Sequence, residues 1–301
     1  MEKTEAWSLY WQNNHQESCI TKSNTEDHVI LSDIWRCFSL QLRHCSTVLD
    51  LATGNGSVAR RLLQFNKSLK VTAVDRASID PKKYTDASVL LSTVHFIPDI
   101  NIQKLPFDDC VFDAVTSQFG LEYSKLNLSI PELVRVLKHK GQFLFVIHHE
   151  DSEVVIPAKD KIKEFNLLLA SGLLDNFELF LAGSLTLQQL NEEGEKILNN
   201  ATWSKSDAIT GQVFLAIDKL IQLKNQNQNL VVILKAFKDM KTRIDAENSR
   251  LNQLILASLS KDKVQKLCTS LEKLGTKVSF KLIQLNDNAG VMGWKIRGYK
   301  L

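Results

Sequence analysis

The chain has 301 residues, 44% of them hydrophobic and 24% charged. That balance excludes a disordered or fibrous chain and supplies enough apolar side chains for a substantial core. A net charge of +3 is too small to argue for a nucleic-acid partner, and no run of 18 apolar residues marks a membrane span.

Residues 1–150 hold 16 basic and 17 acidic side chains, and residues 151–301 hold 21 and 17. The excess in the second half reads as a solvated helical surface. The five cysteines, Cys19, Cys37, Cys45, Cys110 and Cys268, are odd in number and form no CxxC or His/Cys cluster. Reduced thiols, no bound metal and a cytoplasmic location are expected. The first residues lack an apolar signal core. In such a chain the sequon Asn200-Ala201-Thr202 carries no meaning.

Residues 1–46 contain Trp7, Trp11 and Trp35, with Ile34, Trp35, Phe38 and Leu42 at helical spacing over Ser32–Leu42. A strand over Thr47–Leu51, a turn through Gly54 and Gly56, and a helix from Ser57 to Phe65 follow. Leu69–Asp75 reads as a second strand, His95–Ile97 as a third, Ala114–Thr116 as a fourth. Leu126–Lys138 is amphipathic and is stopped by Lys140-Gly141. Gln142–Ile147 is a fifth, buried strand. Strands alternating with helices predict an α/β fold with a doubly wound, mostly parallel sheet. Residues 158–274 turn helical, with apolar faces at Val213, Ile217, Leu220 and Ile221 and at Ile233, Phe237, Met240 and Ile244. Lys277–Leu285, the turn 286–290 and Val291–Tyr299 predict a C-terminal β-hairpin. The expected organisation is an N-terminal helical lid segment (1–46), an α/β core (47–152), a helical cap insertion (153–275) and a hairpin (276–301) completing a seven-stranded sheet.

Gly54 and Gly56 let the backbone turn sharply at the carboxyl end of the first strand, where open α/β sheets bind ligands. Asp75, ending the second strand, suits the two hydroxyls of a ribose. The pattern Gly54-x-Gly56-x-x-Ala59 also satisfies a dinucleotide fingerprint. Asp50, four residues before Gly54, suits a cationic amine and would repel a pyrophosphate.

Val48-Leu49-Asp50-Leu51-Ala52-Thr53-Gly54-Asn55-Gly56 resembles the first motif of class I S-adenosylmethionine-dependent methyltransferases. Leu105–Asp113 and Glu132–Gly141 resemble later motifs, in the expected order, and the branch resembled is the quinone and small-molecule type. The resemblance implies a cofactor, S-adenosylmethionine, and assigns roles by position. Asp50 would face the methionine amine, Gly54 and Gly56 would line the methionine, and Asp75 would hold the ribose. Ala52 stands where the family has its first glycine. Asn101 replaces the family's acid at the adenine amine, and its carbonyl still accepts a hydrogen bond. Ile102 would meet the adenine face, and Gln118 would sit near the sulfonium.

Methyl transfer from a sulfonium needs positioning, and needs a base only if the acceptor must lose a proton. His148 and His149, after the fifth strand, are the candidate catalytic bases, with strand alternation turning one of them toward the site. Tyr10 and Trp11 from the N-terminal segment, with Glu122 and Tyr123 after the fourth strand, are the candidate acceptor pocket. The loop Gln118–Tyr123 lacks the prolines and the cysteine of base-modifying methyltransferases. The function expected is in-line methyl transfer to a small-molecule acceptor, with a homodimer formed through the helical cap. The alternatives are methylation of a protein or RNA, and a non-enzymatic binding protein for the same cofactor.

Overall fold

The computed structural model describes residues 3–13, 17, 18, 25–84, 89–199, 209–285 and 290–301. Cys19, the Asn200 sequon and the hairpin-turn residues 286–289 lie outside them. In chain order the elements are α1 (Lys3–Gln12), α2 (Thr25–Ser39), β1 (Thr47–Leu51), α3 (Ser57–Phe65), β2 (Lys70–Val74), α4 (Pro81–Tyr84), β3 (His95–Ile97), β4 (Phe112–Gln118), α5 (Leu126–Val136) and β5 (Leu137–His148). They continue as α6 (Val155–Ala170), α7 (Leu173–Leu181), α8 (Leu187–Leu198), α9 (Ile209–Asn225), α10 (Leu230–Ala257), α11 (Lys261–Lys273), β6 (Thr276–Gln284) and β7 (Val291–Lys300).

The seven strands form one sheet in the order β3-β2-β1-β4-β5-β7-β6. The first five pair in parallel, while β7 runs antiparallel to β5 and β6. The fold is therefore doubly wound α/β, as the alternating pattern predicts. The strand order reverses at β1, which has β2 on one side and β4 on the other. Loops after β1 and β4 leave in opposite directions there and open a crevice at the carboxyl edge.

Alternation along each strand separates two cores. Leu49, Leu51, Val115, Phe143, Phe145, Ile147, Trp294 and Ile296 pack with α5 and α11 on one face. Val48, Ala114, Leu144 and Val146 pack with Trp35 and Phe38 of α2 and Leu62 of α3 on the other. In α3 the buried residues Val58, Ala59, Leu62 and Leu63 make one stripe, and Gly56 at φ 82° starts the helix.

Several boundaries move. The helix expected to run to Lys138 ends at Val136, and β5 begins at once at Leu137. Residues 110–112 pair alongside 135–137 before the ladder resumes at Ala114 opposite Gln142. Lys140, at φ 61°, sits in the resulting bulge, so the expected helix stop lies inside a strand.

The chain divides into two compact units, Pro157–Asn252 and the pair of segments Glu2–Ile156 and Gln253–Leu301. The insertion is thus shorter than the expected 153–275. Helix α11 belongs with the sheet because Val264, Leu267 and Leu271 complete its core. Within Pro157–Asn252, the Phe177 and Phe237 rings meet at 5.0 Å, and Glu164 accepts from both the Thr210 backbone and its hydroxyl. Lys241 pairs with Glu178 at 2.6 Å. Among the described residues no helix is long and apolar enough to cross a membrane.

Leu271 is fully buried in the core of the sheet unit. Leu271→Ala should cost about 2–5 kcal/mol of stability, through lost transfer energy and a residual cavity. Denaturant unfolding followed by circular dichroism checks this. A loss under about 1 kcal/mol would return α11 to the helical insertion.

Candidate functional site

The turn after β1 is built from buried hydrogen bonds. Asp50, fully buried, accepts from the Thr53 hydroxyl at 2.6 Å and the Thr116 hydroxyl at 2.8 Å. Burial raises its pKa to about 7, with the two hydroxyl bonds opposing. Asp50 ties β1 to β4 and does not line the pocket. Ala52, Gly54 and Gly56 all have positive φ, at 51°, 53° and 82°. A Cβ on Gly54 would come within 2.3 Å of the Trp11 ring, and one on Gly56 within 2.9 Å of Phe96. The glycines admit these rings. Of the turn, Ala52, Thr53 and Ser57 border the pocket.

The pocket lies at the carboxyl ends of β1, β2 and β4, a cavity of about 140 Å³ that opens to solvent. Asp75 stands in its wall. One carboxylate oxygen accepts from Gly54 N–H at 2.7 Å and the other from Ala77 N–H at 2.8 Å. The Arg76 backbone N–H also bonds the carboxylate, and the carboxylate's remaining acceptor capacity suits a ribose hydroxyl. Burial raises the Asp75 pKa to about 6, against the pull of those amides. Asn101 and Ile102, after β3, border the same end. The Asn101 side-chain oxygen accepts from Gln103 N–H at 3.0 Å. Gln118 borders the pocket at the end of β4, and its side-chain oxygen accepts from the Trp35 indole at 2.7 Å.

Helix α1 supplies one side of the pocket through Thr4, Trp7 and Trp11. Asn55 donates to the Trp11 carbonyl at 3.0 Å, Ser78 N–H donates to Ser8, and Trp7 donates to Gln253 at 3.2 Å. Glu17, almost fully buried, meets Arg61 at 2.7 Å and Arg60 at 3.1 Å, both on α3. Tyr10 packs edge-on against Trp7 and Trp11 and donates to the Glu17 carbonyl, outside the pocket lining.

On the other side of the crevice are Phe119, Gly120, Tyr123 and Ser124. His148 and His149 end up on opposite faces of β5. His148 is fully buried, its ring stacked 4.4 Å from Phe119 and 5.9 Å from Tyr123. Phe119, at φ 52°, and Tyr123 both border the pocket and both pack on His148. His149 packs 4.9 Å from the Trp294 ring. Glu122 points inward, accepting from His148 N–H at 2.9 Å, and burial raises its pKa to about 7. Neither histidine lines the pocket, nor does Glu122.

Ala52, Asp75, Asn101, Ile102, Gln118, Trp11 and Tyr123 are thus brought together, while Asp50, Gly54, Gly56, Tyr10, Glu122, His148 and His149 stand behind them. Sequence reasoning missed Trp7, Phe119 and Gln253. Trp7 was within reach, because it lies one helical turn before Trp11. Gln253 carries no local signal.

Asp50, Asp75 and Glu122 share one sign. Their folded pKa values exceed the ordinary carboxyl range, so their favourable contribution is full below pH 4 and is lost as pH rises toward 7. The melting temperature should fall across that window. In Glu122→Gln the fall should be shallower, and the gain over wild type should be larger at pH 8 than at pH 4. Parallel Tm profiles for the two proteins would overturn the burial argument.

A family model described as a methyltransferase domain matches residues 49–145. A demethylmenaquinone methyltransferase of Thermotoga maritima is 36% identical over 104 residues, which are 33% of this chain and 42% of that protein. The ubiquinone/menaquinone biosynthesis C-methyltransferase UbiE of Bartonella quintana is 31% identical over 170 residues, covering 52% of this chain and 64% of that protein. The chain thus spans less than two thirds of the length of these relatives. A geranyl diphosphate C-methyltransferase from Streptomyces coelicolor, solved with S-adenosyl-L-homocysteine, is 16% identical over 49% of this chain and 65% of that one, with a TM-score of 0.36. That likeness is too loose to add to the topology. The ordered motifs, the doubly wound sheet and the family match agree on one reading: residues 49–145 match a methyltransferase domain, and the motifs within them resemble those of the class I, S-adenosylmethionine-dependent type.

Proposed function

We propose that the protein transfers the methyl group of S-adenosylmethionine to a small, uncharged acceptor carrying a ring. The observation that carries this reading is the two-sided pocket. On the β2 side lie Asp75 and Asn101, which suit a nucleoside. On the β4 side lie Phe119, Tyr123 and Ser124, with Trp7 and Gln253. Asp75 and Arg76 are the charged residues among the described lining, and both belong to the nucleoside side. The acceptor side is therefore polar and aromatic without charge. The relatives named for quinone biosynthesis support the same substrate class.

The cofactor, when bound, supplies a methyl group already activated on a sulfonium. The chain's own contribution is positioning. Asp75 would hold the ribose hydroxyls, Asn101 and Ile102 would meet the adenine, and Trp7 and Trp11 would exclude water and offer aromatic faces to a cation. No charged side chain of the described lining stands on the acceptor side to take a proton. The acceptor proposed is accordingly one that is nucleophilic without a protein base. A homodimer formed through Pro157–Asn252 and a cytoplasmic location belong to the same proposal. Sedimentation of the purified chain tests the first.

S-adenosylhomocysteine should raise the melting temperature by mass action. Asp75→Ala should shrink that shift, and Gly54→Val should abolish it by driving a side chain into Trp11. A shift with nicotinamide dinucleotides and none with S-adenosylhomocysteine would sink the reading.

The histidines give a second test, with 1,4-dihydroxynaphthalene as trial acceptor under anaerobic conditions. His149→Gln should leave turnover unchanged, because His149 packs on Trp294. His148→Gln should alter KM through the Phe119 wall while the pH dependence of kcat stays as in wild type. A fall in kcat of about 10²–10⁴-fold with loss of the acid limb would instead make His148 the general base.

A further inference from the structure

The side-chain amide of Gln118 is oriented by chemistry and not by fit alone. Trp35 lies on α2, fully buried, and its indole nitrogen approaches Gln118 Oε1 at 2.7 Å. An indole N–H can only donate, so the amide oxygen must face Trp35 and the amide NH2 must face away. Gln118 ends β4 and borders the pocket, and among the described residues its Nε2 has no hydrogen-bond partner. Gln118 thus presents a fixed amide donor at the boundary between the nucleoside and acceptor sides of the pocket, as Asn101 and Gln253 are fixed elsewhere in its wall by the donors they accept from. A core tryptophan settles which end of the amide the ligand meets.

We propose that Gln118 donates a hydrogen bond to a lone-pair oxygen of the bound ligand, a carboxylate, carbonyl or hydroxyl, and that Trp35 is the positioning residue that holds it in that orientation. The inference rests on the methyltransferase reading and deepens it. Two sources of that oxygen fit the place of Gln118: the carboxylate of the cofactor's methionine, and an oxygen of the methyl acceptor. A ligand presenting only N–H donors there would meet a like group and be disfavoured.

Three variants separate positioning from structure. Gln118→Glu keeps an acceptor for Trp35 but replaces the donor in the pocket by a carboxylate oxygen. Gln118→Met keeps the volume without the donor. Trp35→Phe keeps the amide and frees it to rotate. Calorimetry measures three probes: S-adenosylhomocysteine, 5′-methylthioadenosine, which lacks the amino-acid carboxylate, and 1-naphthol added to protein saturated with S-adenosylhomocysteine.

Gln118→Glu should weaken one oxygen-bearing probe by roughly tenfold or more and Gln118→Met should weaken the same probe by less, with 5′-methylthioadenosine unchanged. Trp35→Phe should weaken that probe in the same direction. Loss of S-adenosylhomocysteine affinity assigns the oxygen to the cofactor carboxylate, and loss of 1-naphthol affinity assigns it to the acceptor. A merely structural role would weaken 5′-methylthioadenosine in parallel, and that result overturns the proposal. So does an unchanged S-adenosylhomocysteine constant in Gln118→Glu together with no loss of 1-naphthol binding. If wild type binds neither nucleoside probe, the methyltransferase reading itself fails, which is a different result.

Discussion

The Asp75 carboxylate holds the site together. One oxygen takes the Gly54 N–H from the turn after β1, and the other takes the Ala77 N–H from the turn after β2. Two loops that belong to different strands are thereby fixed to one planar group. A carboxylate buried to this degree is costly to keep ionised, which is why its pKa rises despite the backbone donors of Gly54, Ala77 and Arg76. Asp50 repeats the arrangement one strand over, linking the β1 turn to β4 through Thr53 and Thr116. The switch point is therefore cross-braced by acids on both sides of β1. Such an arrangement sacrifices stability near neutral pH for a rigid first turn.

That rigid turn accepts an aromatic helix. Gly54 leaves no side chain between the backbone and Trp11, and Gly56 leaves none between it and Phe96. The glycines act as sockets for rings as well as swivels for the backbone. Helix α1 is also held by Asn55, Ser78 and Gln253, and the following segment by Glu17 on Arg60 and Arg61. Removing Glu17 would leave Arg61 buried without its countercharge, a more severe change than loss of an exposed pair. The ligand side of the α/β crevice is in this way roofed by residues from the far N-terminal segment.

At the carboxyl end of β4 lies a second buried group, Phe119, Glu122 and His148. Phe119 adopts a left-handed backbone conformation that a β-strand cannot continue, and its ring covers His148. The chemistry-bearing side chains of this loop thus face the interior, and the ring faces the pocket. Function on such a fold is decided by the site and not by the sheet. Here the site offers shape, aromatic surface and oriented amides, with its charges, Asp75 and Arg76, kept to the β2 side.

The local signals were enough for the sheet and the first turn. Apolar runs of the right length, the Gly54 and Gly56 pair and the acid at Asp75 are consequences of backbone geometry, which is read from a few neighbouring residues. Ala52, Asn101, Ile102 and Gln118 came from motif position and Tyr123 from its place after the fourth strand, and the structure gathers them at one pocket. What periodicity could not reach was direction over distance. Whether His148 meets the pocket depends on how Phe119 and Tyr123 pack on it, and whether α11 belongs to the sheet depends on which core its apolar stripe completes. Trp35 and Gln118 are 83 residues apart, and only the packing of α2 across the sheet makes the indole a partner for the amide. Sequence alone determined the elements, their order and the kind of ligand edge they build, because those follow from short-range sterics and hydrophobic period. Tertiary structure decided which side chains face the ligand and which brace it, because that choice is made by long-range packing and by where each buried polar group finds its partner.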